Sequence, residues 1–120
     1  MLPSTDAVLA AWPFLSRRFE IESTPSRAQV EAALELASNC AESEAEEPAA
    51  IFFAFARHPR AIPGAWRMLG ERFARVHASR AGFDLDATAE ELTPIRLGAA
   101  TGRFDWPDVR AWFRARLKAL

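Results

Sequence analysis

The sequence predicts an all-α fold: a single-domain bundle around a buried central helical hairpin, with at most one short extended segment. Three observations lead there. Residues 48–56 are almost wholly apolar. The segments on either side carry apolar residues at three- and four-residue spacing, with Ser, Thr or Asp standing where helices would begin. Alternation with a period of two occurs once, at Phe83-Asp84-Leu85-Asp86.

Taken in order, Ser4 can cap a first helix carrying Val8, Leu9 and Trp12. Pro13 is expected to kink or end it before Phe14, Leu15 and Phe19, because proline lacks the amide that a helix interior needs. Residues 17–24 then read as a charged connection. Ser26 followed by Gln29 has the spacing of a capping box, and Val30, Ala33, Leu34 and Ala37 share one face of a helix lasting to about Cys40. Residues 41–47 are acidic and aperiodic, which predicts a solvated loop; Glu46 and Glu47 complement the positive start of the next helix.

That next helix opens on Pro48, a residue tolerated at the first helical position. Ile51, Phe52, Phe53 and Phe55 point in several directions, so no face remains for water and the helix belongs in the middle of the domain. It meets Arg57 and His58 long before the ~20 apolar residues that a membrane span needs. The loop HPRAIPG, residues 58–64, follows. A second helix restarts at Gly64 with Trp66, Leu69, Phe73 and Val76 as its apolar stripe and closes on Gly82. Thr88 and Glu91 form a second capping box, for a helix holding Leu92, Ile95 and Leu97; Pro94 is expected to shift its true start to Thr93. Gly102 punctuates it. Asp105 caps a last helix whose stripe is Val109, Trp112, Phe113, Leu117 and Leu120, opposite Arg110, Arg114 and Lys118.

Composition bounds the function. The 120 residues are enough for one domain with one core. A net charge of −1 argues against a general nucleic-acid binder. The charge is uneven: residues 1–57 hold four basic and nine acidic residues (4 − 9 = −5), and residues 58–120 hold eleven and seven (11 − 7 = +4). The second half can therefore face an anionic partner. Cys40 is the only cysteine, which excludes an intrachain disulfide and makes a reducing compartment the default. Residues 1–10 lack the basic-then-apolar layout of a secretory signal, so the expectation is a cytoplasmic protein with no membrane contact. Lys118 is the only lysine, which excludes a lysine-dependent phosphate loop.

The order of an apolar helix, HP, a loop, a long helix ending in glycine, GFDLDATAEEL (82–92), LGAATG (97–102) and an amphipathic helix resembles the Fic/Doc family, in particular the death-on-curing toxins. The similarity covers roughly residues 28–120. The family's defining loop reads HPFx(D/E)GN(G/K)R. His58 and Pro59 match its opening; Arg60 replaces the phenylalanine, Ala61-Ile62-Pro63 offers no carboxylate, Gly64 stands for the glycine, no asparagine follows, and an arginine returns at Arg67. The stretch from His58 to Gly82 is longer than the family's, which leaves open whether Arg67 or Arg72 takes the motif arginine's place.

The resemblance implies a role for each matched position. His58 would be the general base acting on a hydroxyl of a target protein. Arg60, Gly64, Ala65, Trp66 and Arg67 would be the anion- or nucleotide-binding turn at a helix N-terminus, with ATP or another nucleotide as the cofactor. The family's acidic residue holds magnesium, and without that hard oxygen ligand no metal site is expected here. A small antitoxin with an acidic helical tail would be the partner, met by Arg57, Arg60, Arg67 and Arg75.

Plainer readings stand beside these. His58 can simply cap the carbonyls of the last helical turn. Arg60 and Arg67 can be solvated surface, or can hold an anion at free amides of Ala65 and Trp66. His77 reads as a half-buried packing residue, Trp66, Trp106 and Trp112 as core aromatics, Cys40 as inert filler, and Asp84 and Asp86 as a solvent-facing pair. Three functions follow: a degenerate Fic/Doc-like toxin-type protein that keeps the scaffold without efficient transfer; an active divergent transferase; or a helical protein- or DNA-binding module using residues 93–117.

Overall fold

A computed structural model describes the backbone of residues 1–120 and every side chain except those of Trp66, Arg67 and Leu69. The chain runs α1 (Thr5–Phe19), α2 (Arg27–Cys40), a 3₁₀ turn (Glu44–Glu46), α3 (Glu47–Arg57), α4 (Trp66–Arg80), β1 (Phe83–Leu85), α5 (Ala89–Thr101), α6 (Trp106–Arg114) and β2 (Leu117–Ala119). This is an all-α architecture with a two-stranded antiparallel accessory sheet. Helices α2, α4, α5 and α6 all pack on α3, and α1 covers α2.

Helix α3 is the axis. Each of residues 48–56 is buried, as the absence of a polar face requires. Its three phenylalanines each meet a ring from another helix: Phe52 meets Phe113 at 5.2 Å between centroids and Phe53 meets Trp106 at 5.8 Å, both of α6, and Phe55 meets Phe73 of α4 at 5.7 Å. At roughly 1.5–3 kcal/mol for each fully buried phenylalanine, this helix is the largest single contribution to the core.

The face that α4 turns inward matches the expected stripe only in part: Phe73 packs on Phe55 as expected. Val76 is 39% exposed, whereas Ala74, His77 and Ala78 are buried. A Cβ added at Gly70 would lie 3.8 Å from the Phe55 Cβ, so α3 and α4 approach closely and small residues line the seam. Trp66 and Leu69 of the expected stripe lie outside the described side chains.

Prolines in two helices do not act as stops. Helix α1 continues through Pro13 to Phe19 and ends where Glu20 takes a left-handed φ of 55°. Trp12, 5% exposed, donates from Nε1 to the Ser23 carbonyl at 2.9 Å, which ties the following connection back onto the helix. Helix α5 starts at Ala89, not Thr93, because Thr88 and Glu91 complete their reciprocal capping box despite Pro94. Leu97, expected among its inward apolar residues, is 45% exposed, and Arg96 is buried.

The last helix is also shorter than its apolar spacing predicts. Asp105 and Asp108 cap α6 as a box, but it stops at Arg114, and Leu117 enters β2. There Phe83 pairs with Ala119, Asp84 with Lys118 and Leu85 with Leu117. Asp84 and Asp86 are exposed, as alternation predicts.

Two arginines hold distant segments together. Arg57 donates from Nε to the Ala99 carbonyl at 2.6 Å and from Nη2 to the Phe104 carbonyl at 3.3 Å, with its guanidinium 4.8 Å from the Phe53 ring centroid. Arg75 donates to the carbonyls of Ala87 at 2.6 Å and Leu85 at 3.1 Å. Gly98 admits the Phe104 ring: a Cβ there would collide with it.

Candidate functional site: the tip of the central hairpin

The tip between α3 and α4 is built from short turns. His58 ends α3 with φ −125° and ψ 63°, and its N–H donates to the carbonyls of Ala54 and Phe55. Pro59 prevents the helix from continuing. Ala61 then donates to the His58 carbonyl at 3.0 Å and Ala65 to the Ile62 carbonyl at 3.1 Å, two successive four-residue turns. Gly64 supplies the left-handed step, φ +79°, that the second turn needs.

The middle of the loop points inward. Ala61 is 0% and Ile62 1% exposed, so the segment between His58 and Gly64 serves as a core plug. The start of α2 docks against it. Ser26 donates from its N–H to the Ala61 carbonyl at 2.8 Å, while its hydroxyl caps Gln29. The reciprocal half of the expected capping box is absent because the Gln29 side chain is engaged elsewhere, with Oε1 3.2 Å from His58 Nδ1.

This contact defines the chemistry of His58. An amide oxygen only accepts, so Nδ1 carries the proton and Nε2 holds the lone pair. Partial burial holds the His58 pKa below its ordinary value, which favours neutral imidazole. The side chain therefore does not cap helical carbonyls. It is an oriented neutral base, held by an amide where a carboxylate would strengthen it more.

The other expected site residues fare differently. Arg60 and Gly64 are exposed at the tip. The Ala65 amide, expected to be free for an anion, is occupied by the Ile62 carbonyl because the second turn closes on it. The side chains of Trp66 and Arg67 lie outside the described residues. Of the arginines assigned to a partner surface, Arg57 and Arg75 give their donors to internal carbonyls, which leaves Arg60 open to solvent. Gln29 is the residue that sequence reasoning missed as part of the site, since its spacing from Ser26 already explained it.

Among the described residues no three His, Cys, Asp or Glu side chains gather as metal ligands. His77 is 5% exposed, and burial lowers its pKa, against an upward pull from Glu47. Burial raises the pKa of the Cys40 thiol, with Asp105 adding to the effect, which keeps it protonated and weakly nucleophilic. Helix α6 buries Val109 and Phe113 against the core, and Arg114 pairs with Glu46 at 2.9 Å, an arrangement that suits packing better than groove reading. Among the described residues no helix is long and apolar enough to cross a membrane. Compared with known proteins, the chain matches no family model, and no curated protein matches it significantly.

Proposed function

We propose that this chain is a degenerate Fic/Doc-like, death-on-curing-type protein that keeps the helical scaffold and a histidine-bearing tip but lacks efficient nucleotidyl or phosphoryl transfer. The observation that carries this reading is Ile62. Counted from His58, the acidic position of the family's loop falls on this residue, and counted back from Gly64 it falls on Pro63; neither offers a carboxylate, and Ile62 is 1% exposed and part of the core. Phosphoryl transfer depends almost wholly on positioning and charge neutralisation. A loop whose central residues plug the core, with the Ala65 amide already bonded, has lost the parts that do both. What remains is a tip suited to holding a partner, and by the same resemblance that partner is a small antitoxin with an acidic helical tail, approached through Arg60.

A second reading rests on His58 Nε2: a neutral, oriented base is what transfer to a protein hydroxyl would need. The two separate in one assay. Purified protein is incubated with magnesium, a cell lysate and ATP labelled at the α- or γ-phosphate. The expected result is no labelled protein above the level given by His58→Ala. Label incorporation that disappears in His58→Ala would overturn the first reading in favour of the second.

A further inference from the structure

At the end of α3 opposite His58, roughly 18 Å away at 1.5 Å of rise per residue, the 3₁₀ turn, β1, α6 and β2 leave a cleft of about 200 Å³. Phe113, 1% exposed, forms its floor, with Ala49, Phe83 and Leu117 as apolar walls. Arg110 and Arg114 flank that floor from one face of α6. The cleft exists because α6 stops at Arg114 and the chain turns away to pair with β1.

The two arginines stand four residues apart, where like charges repel. Arg114 is neutralised: its Nη2 lies 2.9 Å from Glu46 Oε2, and Glu46 Oε1 is held by the Glu42 amide at 3.1 Å. Arg110 has no hydrogen bond or ion pair among the described residues. With two cations and one anion on its walls, the cleft carries an excess charge of +1 (2 − 1) beside an apolar floor.

We propose that this cleft binds a small organic monocarboxylate with an aromatic or branched apolar body, its carboxylate paired to Arg110. The guanidinium fork matches a carboxylate in two parallel hydrogen bonds. Glu46 opposes a second negative charge, so a monoanion suits the cleft better than a dianion. At about 200 Å³ the cleft has room for a ring or a branched chain. This site is independent of His58 and of the function proposed above.

The test uses the full chain and three probes: benzoate, 3-phenylpropionate and 4-methylpentanoate. Methyl NMR signals of Ala49 and Leu117 report occupancy. At least one acid is expected to give saturable shifts, with its amide analogue at least tenfold weaker. Arg110→Gln breaks no internal bond and should fold normally while weakening the acid at least tenfold. Ala45→Leu, at an exposed position on the cleft wall, should weaken acid binding by obstruction. No saturable shift with any of the three acids, equal affinity for acid and amide, or unchanged affinity in Arg110→Gln would each overturn the proposal.

Discussion

Gln29 Oε1 and His58 Nδ1 lie 3.2 Å apart, joining the first turn of α2 to the end of α3 across 29 residues of chain. The contact sits in a partly buried setting that lowers the histidine's pKa, and burial lowers that of His77 as well. A histidine whose pKa falls on folding binds fewer protons folded than unfolded, so acid favours the unfolded chain. Stability should therefore be full above the ordinary histidine value of 6.5 and fall as pH drops through it. Urea denaturation at neutral pH and about one and a half units lower would check this. His58→Gln and His77→Gln should each flatten the dependence; a stability that rises on acidification would contradict it.

Arg57 should be a stability hot spot although its side chain is 31% exposed. Removing it orphans the Phe104 carbonyl, leaves the Ala99 carbonyl only the 3.4 Å bond from the Gly102 amide, and removes the cation–π contact with Phe53. Hydrogen bonds to charged groups contribute about 1.5–3 kcal/mol each, so Arg57→Ala should cost about 2–4 kcal/mol by chemical denaturation. Lysine cannot reach both carbonyls from a planar fork and should recover less than half of that.

Gly98→Ala should destabilise by overpacking, because the new methyl would meet the Phe104 ring. The expected cost is about 1–3 kcal/mol. Combining it with Phe104→Leu should cost less than the sum of the two single changes, a coupling that a double-mutant cycle reads directly.

Ile62→Ala tests whether the hairpin tip is part of the core. A buried isoleucine truncated to alanine loses about 2–5 kcal/mol, and a surface loop residue would lose about 0.5 kcal/mol or less. A value in the lower range would show the tip to be free of the core, and would remove the main support for reading it as a closed loop.

What was legible in the sequence was whatever depends on near neighbours. Ser4, Thr88 with Glu91, and Asp105 announce their helices by capping chemistry, and α3 announces its burial by having no polar face. The failures have physical causes. Leu117 keeps helical spacing with Val109 and Phe113, but a strand 32 residues earlier claims it: Leu85 pairs with Leu117 (117 − 85 = 32), and no local pattern carries that contact. Pro13 and Pro94 each remove one helical bond, a cost of ~3 kcal/mol that tertiary packing overrides. On α4 Phe73 was read correctly, but Val76 was misplaced and the small residues of the seam were missed, because periodicity weighs large residues whereas close helix approach selects Gly70, Ala74 and Ala78. The Gln29–His58 contact was hidden because a capping role already accounted for Gln29.

The all-round burial of α3 has a consequence for biosynthesis. During translation Arg57 is made 56 residues before Phe113 (113 − 57 = 56), the residue that stacks on Phe52. At ~5–20 residues per second, the greasy rod waits roughly 3–11 s for its last cover. For that interval it is sticky, so ribosome-bound chains stalled before α6 should recruit hydrophobic-surface chaperones that the finished fold ignores.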